Sequence, residues 1–558
     1  MSVGHPAPTT TELSFAPIER QASLSDEHKA EVDHRDFLSQ EVEAVRSAWD
    51  DLTYKQTARL FWKGSLVCFL AAFSAFTDGY QIAMVGNIIA FDGFVKQFST
   101  ANDPTTGAAI LAPGVLSAWN AVGSVMQWCG MNFFPIISNR FGRKWCMIGY
   151  WLVIAAGCAC ETGARNWKVW LLAKMFVGLG VGAMQVTMQV YLTEMSPTSK
   201  VRGAMLSMYN FWWTTGLFIG TVVITLLHKQ DAEDWLRVIY SEWSQVAVMG
   251  IIYAFLPESH WWHARQGHHE KGVKSMARIN SNVPGYNAEL EYAIVRRTVE
   301  HERAYALSVK EVPWLSIFKG VNGWRTFLSC YELTAAAFVG QSFLSTYVVY
   351  FFEIAGSTDA FANTCITSAL GIVCTIFLIF GLDVVGRRRL ITYGISLMWF
   401  SLLLIGCLSL VKNQNKAING VLIFLACLWT ICFNLANGAG WPLVGEVSSS
   451  RLRAQTAGFA ASVSVAFGIG LGYGTPYMIS TASLNWGLKT CFFFAGISAP
   501  LVIGLWFVIP ETTGRSAAEL DEMFEAKIKP WRFRKYVTEA QRVGTSKATG
   551  AQVEAASA

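Results

Sequence analysis

Apolar stretches close to 20 residues long recur along this chain of 558 residues, and no other feature restricts its fold as strongly. Inside hydrocarbon every backbone N–H and C=O must find a partner within the spanning segment, so such stretches are read as helices. At about 1.5 Å per residue, 20 residues cross a core of about 30 Å. Twelve stretches qualify, at about 64–90, 113–138, 145–163, 168–190, 203–227, 243–257, 325–352, 361–381, 390–410, 419–444, 455–479 and 489–509. The sixth is short and is expected to begin earlier, near Trp235. The fold class that follows is an all-α membrane protein with twelve transmembrane helices. A composition of 53% hydrophobic and 15% charged residues agrees with it. Residues 1–60 are polar and carry both acids and bases, so no cleavable leader is expected there.

Short-loop Lys and Arg residues set the orientation. The loops "NRFGRK" (139–144), "SKVRG" (199–203), "VVGRRRL" (384–390) and "SSRLRA" (449–454) hold ten basic residues, whereas "QDAEDW" (230–235) and "STDA" (357–360) are mixed or acidic. The basic side is expected to face the cytoplasm, and an even number of spans puts both termini there too. The net charge of +5 is therefore a topology signal, and basic residues spread between spans do not make a nucleic-acid surface.

The twelve cysteines lie inside or at the ends of apolar stretches and none forms a Cys-x-x-Cys pair, so they read as small buried residues. His260, His263, His268 and His269 crowd one polar segment with a spacing suited to weak metal binding, and read as solvated loop residues. No metal site and no cofactor is expected.

The chain also repeats itself. "NRFGRK", "YLTEMSPTSKVRG" (191–203) and "LPES" (256–259) in the first half return in order as "DVVGRRRL" (383–390), "GEVSSSRLRA" (445–454) and "IPETTGR" (509–515) in the second. Glu194 and Glu446 lie 252 positions apart, and Pro257 and Pro510 lie 253 apart. The organisation read from this is a polar N-terminal tail (1–60, disordered), a six-helix half (61–257), a cytosolic linker with short helices (258–324), a second six-helix half (325–510) and a polar C-terminal tail (511–558). Parallel repeats of this kind place a binding site near the bilayer midplane between two halves that rock against each other.

These loops resemble the signature set of the sugar-porter branch of the major facilitator superfamily, over roughly residues 60–530. "STYVVYFFEIAG" (345–356), "EVSSSRLRAQTAG" (446–458) and "GYGTPYMISTASLNWGLKTCFFFAG" (472–496) look most like its fungal α-glucoside and maltose permeases. The resemblance implies a non-enzymatic secondary transporter in the plasma membrane, acting as a monomer on a small sugar or sugar-like substrate.

Three groups of residues follow. The first is a cytoplasmic gate. Glu194 and Glu446 stand where the fourth and tenth spans end, and their carboxylates can accept bidentate hydrogen bonds from the guanidinium groups of the Gly-Arg loops. The group comprises Arg140, Arg143, Glu194, Arg202, Asp383, Arg387, Glu446, Arg451 and Arg453. In the family such clusters hold the cytoplasmic side shut. Asn139 replaces the family's usual acid, so the first half's latch is expected to be the weaker.

The second group binds substrate. Sugar hydroxyls suit amides, and a sugar's apolar ring face suits an indole or phenol. Gln81, Gln185, Gln341, Tyr347, Asn434, Asn437 and Trp441 meet that requirement inside spans, with Tyr350 as a further phenol. Trp441 stands where the family places a sugar-contacting Trp. The family's Gln-Gln pair is replaced by Ala336 and Ala337, and its Gly-Pro before the Trp by Asn437-Gly438. A larger glucoside, a polyol, a sugar acid or a sugar-like metabolite fits as well as glucose.

The third group concerns energy. No Gly-x-x-x-x-Gly-Lys-Ser/Thr loop is present, which excludes an ATP-driven pump. Coupling to protons needs a titratable group in the pathway. Asp78 is the sole charge from Gly64 to Phe91, and Lys174 the sole charge between Lys168 and Glu194. Both are placed about 21 Å from the inner edge, where an ammonium and a carboxylate can pair. The pair falls where many proton-coupled sugar porters carry an Arg and a first-helix Asp. Against the "EGYD" of the α-glucoside branch, Asp78 replaces the Glu and Gln81 the Asp. Glu161 and Glu332, each nearer a helix end, are the rival acids. The function expected is uptake of a hexose or α-glucoside by proton symport. Export of a sugar-like secondary metabolite and a non-transporting nutrient sensor are the alternatives.

Overall fold

The computed structural model describes residues 54–538 apart from 103–106, 108, 199–200, 309–313, 358, 412–415, 450–451, 481–482, 514 and 516, together with Trp49 and Leu52. Most of the 1–60 tail thus lies outside the described residues.

The membrane-spanning elements are α1 (Trp62–Ile88), α2 (Pro113–Phe141), α3 (Arg143–Gly163), α4 (Trp167–Met195), α5 (Arg202–Gln230), α6 (Leu236–Phe255), α7 (Gly320–Phe338, continued by a π turn Ser342–Thr346 and the helix Val348–Ile354), α8 (Ala360–Val385), α9 (Arg387–Leu408), α10 (Lys416–Val447), α11 (Arg453–Ile479) and α12 (Thr490–Val508). Ten of these, among the described residues, are long and apolar enough to cross a membrane on length and composition alone. The other two are α2, whose Asn120, Gln127 and Asn132 dilute its apolar run, and α7, which is broken into pieces. α6 begins at Leu236, which adds nearly two turns to the apolar stretch of 243–257 and carries Glu242 into the span.

Within the first half α1 packs on α5, and α2 and α3 on α4; in the second, α9 packs on α10 and α12. The halves meet where α2 lies along α11 and α5 along α8. Three helices, His260–Gln266, His269–Asn280 and Ala288–Ser308, occupy the connection between the halves. Past α12, the helix Ala517–Glu525 and the 3₁₀ turn Pro530–Lys535 give structure to a stretch that reads as a plain polar tail.

The repeated loops have a common physical basis. Gly142 and Gly386 both have positive φ, +105° and +97°, a conformation open to glycine alone without strain. A Cβ on Gly142 would stand 2.4 Å from Glu258 Oε2, and one on Gly386 2.7 Å from Glu511 Oε2. Each Gly-Arg turn therefore opens a helix against the carboxylate of the Pro-Glu motif of its own half. Glu258 Oε1 accepts the backbone N–H of Arg143 at 2.8 Å, satisfying one of the free donors at the start of α3.

Candidate functional site

A cavity lies between the halves. Its walls come from α1 (Ala83, Gly86, Asn87), α5 (Trp213, Thr214, Thr221), the π turn of α7 (Ser345, Thr346), α8 (Thr364, Thr367, Ser368) and α10 (Trp429, Thr430, Phe433, Asn434). The hydroxyls of Thr221, Thr364, Ser368 and Thr430 each donate to the carbonyl four residues back in their own helix, at 2.8 to 3.0 Å. Their hydrogens are thereby committed while their oxygens remain acceptors. Asn87 spends an amide hydrogen on Ala83 O, and its buried Oδ1 has no partner. The Asn434 amide likewise donates to Thr430 O at 2.9 Å. A wall of acceptors with two indoles, Trp213 and Trp429, suits a ligand rich in hydroxyl donors that also has an apolar face.

Of the expected substrate group, Asn434 lines this cavity. Tyr347 lines a neighbouring one with Asn120, whose amide donates to the Tyr347 hydroxyl, and with Lys174. Gln185 and Gln81 are turned instead into the first half, as described below. Gln341 is exposed beside the break in α7. Trp441 is 52% exposed and does not reach the cavity. It lies seven residues from Asn434, hence on the same face of α10 but about 10 Å nearer the Arg-rich end. Trp213, Thr364 and Thr367 escaped the sequence reading, because single hydroxyls and indoles inside apolar spans look like packing residues.

Five side-chain hydrogen bonds join the halves among the described residues. They are Thr214–Thr375 (3.1 Å), Thr225–Cys365 (3.4 Å), Ser117 to Tyr473 O (2.7 Å), Asn120–Tyr347, and the ion pair Lys229–Asp359 (2.8 Å). All lie from mid-span toward the end opposite the Arg-rich loops. The described ion pairs of the Arg-rich end stay within one half, within the segment that follows it, or between the two.

The expected pairing of Asp78 with Lys174 is not formed. Lys174 Nζ donates to Glu161 Oε1 at 2.7 Å and sits 4.9 Å from the Trp170 ring centre. Asp78 Oδ2 accepts from Gln185 Nε2 at 2.8 Å and from the Tyr209 hydroxyl at 3.4 Å. The reason is helix direction. Cα–Cβ bonds tilt toward the helix N-terminus, and α1 and α4 run in opposite senses. Asp78 therefore leans toward the Arg-rich end and Lys174 away from it, while Gln185 leans toward Asp78. Depth counted along each axis leaves out this tilt.

The residue that completes the Lys174 cluster is Glu242 of α6. It accepts from Gln81 Nε2 at 3.2 Å and from Cys158 Sγ at 3.5 Å. Ligand atoms of Cys158, Glu161 and Glu242 lie within 4.8 Å of one another. Glu161 and Glu242 are fully buried, and Gln81 Oε1, Glu161 Oε2 and Glu242 Oε1 have no hydrogen-bond partner. Two buried carboxylates thus face one ammonium, and a neutral cluster requires one further positive charge. Those atoms resemble a metal-ligand set, but the ammonium of Lys174 already sits against them. Glu332, the other rival acid, is buried against Gly440 of α10 with both oxygens unpartnered.

At the Arg-rich end Arg143 grips Glu194 with two parallel bonds, Nε to Oε2 at 3.0 Å and Nη2 to Oε1 at 2.8 Å. Arg265 (2.9 Å) and Ser259 (2.5 Å) complete the shell of Glu194. In the second half Arg387 Nη2 meets Glu446 Oε1 at 3.1 Å. Arg140 is exposed beside Phe141 and Arg202 is exposed. The side chains of Asp383 and Arg453, and the whole of Arg451, lie outside the described residues. His260 and His263 are buried, which corrects their reading as solvated residues. Ser259 caps the helix they begin and is itself bonded to Glu194, which draws that helix onto the end of α4. Burial lowers the His260 imidazole to about 4.

Residues 67–524 match the family model described as "Sugar (and other) transporter". A general alpha-glucoside permease of Saccharomyces cerevisiae is 26% identical, over 93% of this chain and 85% of that protein. The MFS transporter fmqE of Aspergillus fumigatus is 26% identical, over 91% and 95%, and the high-affinity glucose transporter ght2 of Schizosaccharomyces pombe 26%, over 81% and 86%. Among solved structures, the proton:xylose symporter XylE bound to 6-bromo-6-deoxy-D-glucose superposes with a TM-score of 0.63 at 18% identity, covering 84% of this chain and all of that one. The inward open XylE from E. coli gives the same score. The twelve membrane elements, the repeated loops and the matched span agree: this chain is a multi-pass membrane protein of the sugar transporter family, with the major facilitator fold.

Proposed function

We propose that this protein carries a sugar, a hexose or an α-glucoside, across the plasma membrane together with a proton, by alternating access, as a monomer with both termini in the cytoplasm. The observation that carries the substrate reading is the acceptor-lined cavity with Trp213, Trp429 and Asn434 between the halves. The Arg-rich loops give the orientation. With the described bonds between the halves running from mid-span to the opposite end, we read this state as closed outward, and Asn437 and Trp441, three and seven residues past Asn434 on α10, as the inward side of the site.

The coupling reading rests on Glu161, Lys174 and Glu242. Their buried charge is balanced by one proton shared between the two carboxylates, opposite the ammonium. Gln81 ties this cluster to α1, which also lines the sugar cavity, so movement of α1 is felt at both sites. Asp78, held by Gln185 and Tyr209, orders α1 against α4 and α5 in this state. The gate centres on Arg143–Glu194 and Arg387–Glu446, which in the outward-facing state would bridge to the opposite half.

The test is uptake of radiolabelled glucose and maltose by a transporter-null yeast expressing the full chain. Saturable uptake that is abolished by a protonophore supports the proposal. Outward flux of a metabolite would favour export. Binding of sugars with no flux in either direction would indicate a sensor.

A further inference from the structure

We propose that the 3₁₀ turn Pro530–Lys535 is a docking surface for anionic phospholipid headgroups in the leaflet at the Arg-rich end. The stretch "KIKPWRFRK" (527–535) carries five cations and no acid, and Lys527, Lys529, Arg532, Arg534 and Lys535 are all exposed. Among the described residues none of the five makes an ion pair. Three of the four acids of the preceding helix, Glu519, Asp521 and Glu522, are engaged by the protein, and Glu525 at its end is exposed. Asp521 pairs with Arg325 at 2.5 Å, and Glu519 accepts from Thr538 at 2.9 Å. Within 527–535 the charge is therefore uniformly positive, with Lys529 lying 5.4 Å from the Trp531 ring centre and no described carboxylate paired to any of the five.

The turn is fixed in place against the Arg-rich end of the second half. Phe533 is fully buried and packs edge-on against Phe524 at 5.1 Å. Arg388 of α9 donates to Pro530 O, and Arg515 to Phe533 O and Tyr536 O. Trp531, 43% exposed, stands 6.0 Å from Phe507, an exposed ring at the end of the apolar helix α12. An indole packed on the end of a span belongs at headgroup depth. With three residues per turn, Arg532 and Lys535 share one face and Trp531 and Arg534 another. Cations placed beside an interfacial indole meet the phosphate layer directly, and charge complementarity selects lipids of net negative charge.

The experiment incorporates the full chain into vesicles of phosphatidylcholine mixed with phosphatidylserine, extracts it in mild detergent, and measures retained lipids by mass spectrometry. The wild type is expected to retain phosphatidylserine above its share of the bilayer. The quadruple variant Lys529→Gln, Arg532→Gln, Arg534→Gln, Lys535→Gln is expected to lose that enrichment at least fivefold, the order for one or more cations at an anionic surface. The double variant Lys529→Gln, Lys535→Gln, which keeps every anchor of the turn, should lie between them. Equal enrichment in the wild type and both variants overturns the proposal. So does a wild type without enrichment whose unfolding temperature in detergent rises with inorganic phosphate, since the turn would then bind free phosphate rather than lipid.

Discussion

Replacing Lys174 by Met tests the polar cluster in a way that burial makes quantitative. Two ion pairs of nearly equal length differ sharply in burial. Lys174–Glu161 is 2.7 Å long with side chains 9% and 0% exposed, and Lys229–Asp359 is 2.8 Å long with side chains 55% and 41% exposed. Coulomb attraction at a wetted surface is screened, and such pairs contribute about 0–1 kcal/mol. Removing one partner of a buried pair leaves an uncompensated charge and costs about 3–5 kcal/mol. Lys174→Met should therefore destabilise the protein by about 3–5 kcal/mol, because Glu161 and Glu242 are left facing each other without the ammonium. Lys229→Met should cost under about 1 kcal/mol. The double variant Lys174→Met, Glu161→Gln should recover most of the loss, since it removes the stranded charge with its partner. Unfolding free energies from detergent titrations of the wild type, Lys174→Met, Glu161→Gln and the double variant complete the cycle, with Lys229→Met as the exposed control. If Lys174→Met costs no more than Lys229→Met, or if the double variant is as unstable as the sum of the singles, the cluster is wetted and the reasoning fails.

Three further outcomes follow from the same structure. Gly142→Ala and Gly386→Ala force a side chain into a positive φ and against a carboxylate, so each should cost about 1–3 kcal/mol and lower the unfolding temperature measured by tryptophan fluorescence. Asn434→Ala removes one cavity amide and should raise the KM for the transported sugar about 3- to 10-fold at unchanged surface abundance, read in the yeast uptake assay. His260, lowered to about 4 by burial, stays neutral in the folded chain while its unfolded counterpart takes up a proton near pH 6.5. Its stabilising effect is thus full above pH 6.5 and is lost as the pH falls toward 4, by about 2 kcal/mol between pH 7 and 5. His260→Gln should flatten that part of the stability profile, measured as unfolding temperature against pH.

Much of the architecture was legible in the sequence because hydrocarbon imposes long apolar helices. The Gly-Arg and Pro-Glu motifs, repeated some 250 positions apart, also have a local cause, a carboxylate seated against a positive-φ glycine. The polar cluster was legible only in its parts. Asp78, Lys174, Glu161 and Gln81 stood out as polar groups in apolar runs, but which of them meet depends on the lean of side chains along antiparallel helices. Glu242 lay just outside the apolar stretch of 243–257, and became an interior residue once α6 was seen to start at Leu236. The cavity hydroxyls were not legible, because a Thr bonded to its own helix has the same sequence signature whether it faces a ligand or a neighbouring helix. The turn at Pro530 is held by Arg388 and Arg515, which lie 142 and 15 positions away, and no local pattern announces such anchors.

The central claim is that sugar and proton move together through a proton shared by Glu161 and Glu242. Proteoliposomes loaded with a pH-sensitive dye and given an inward gradient of the transported sugar test it most directly. The wild type should acidify the lumen, while Glu242→Gln should lose sugar-driven acidification and concentrative uptake yet still exchange labelled sugar down its gradient. Glu242→Gln vesicles that acidify at the wild-type rate and concentrate sugar with the wild-type pH dependence would contradict it.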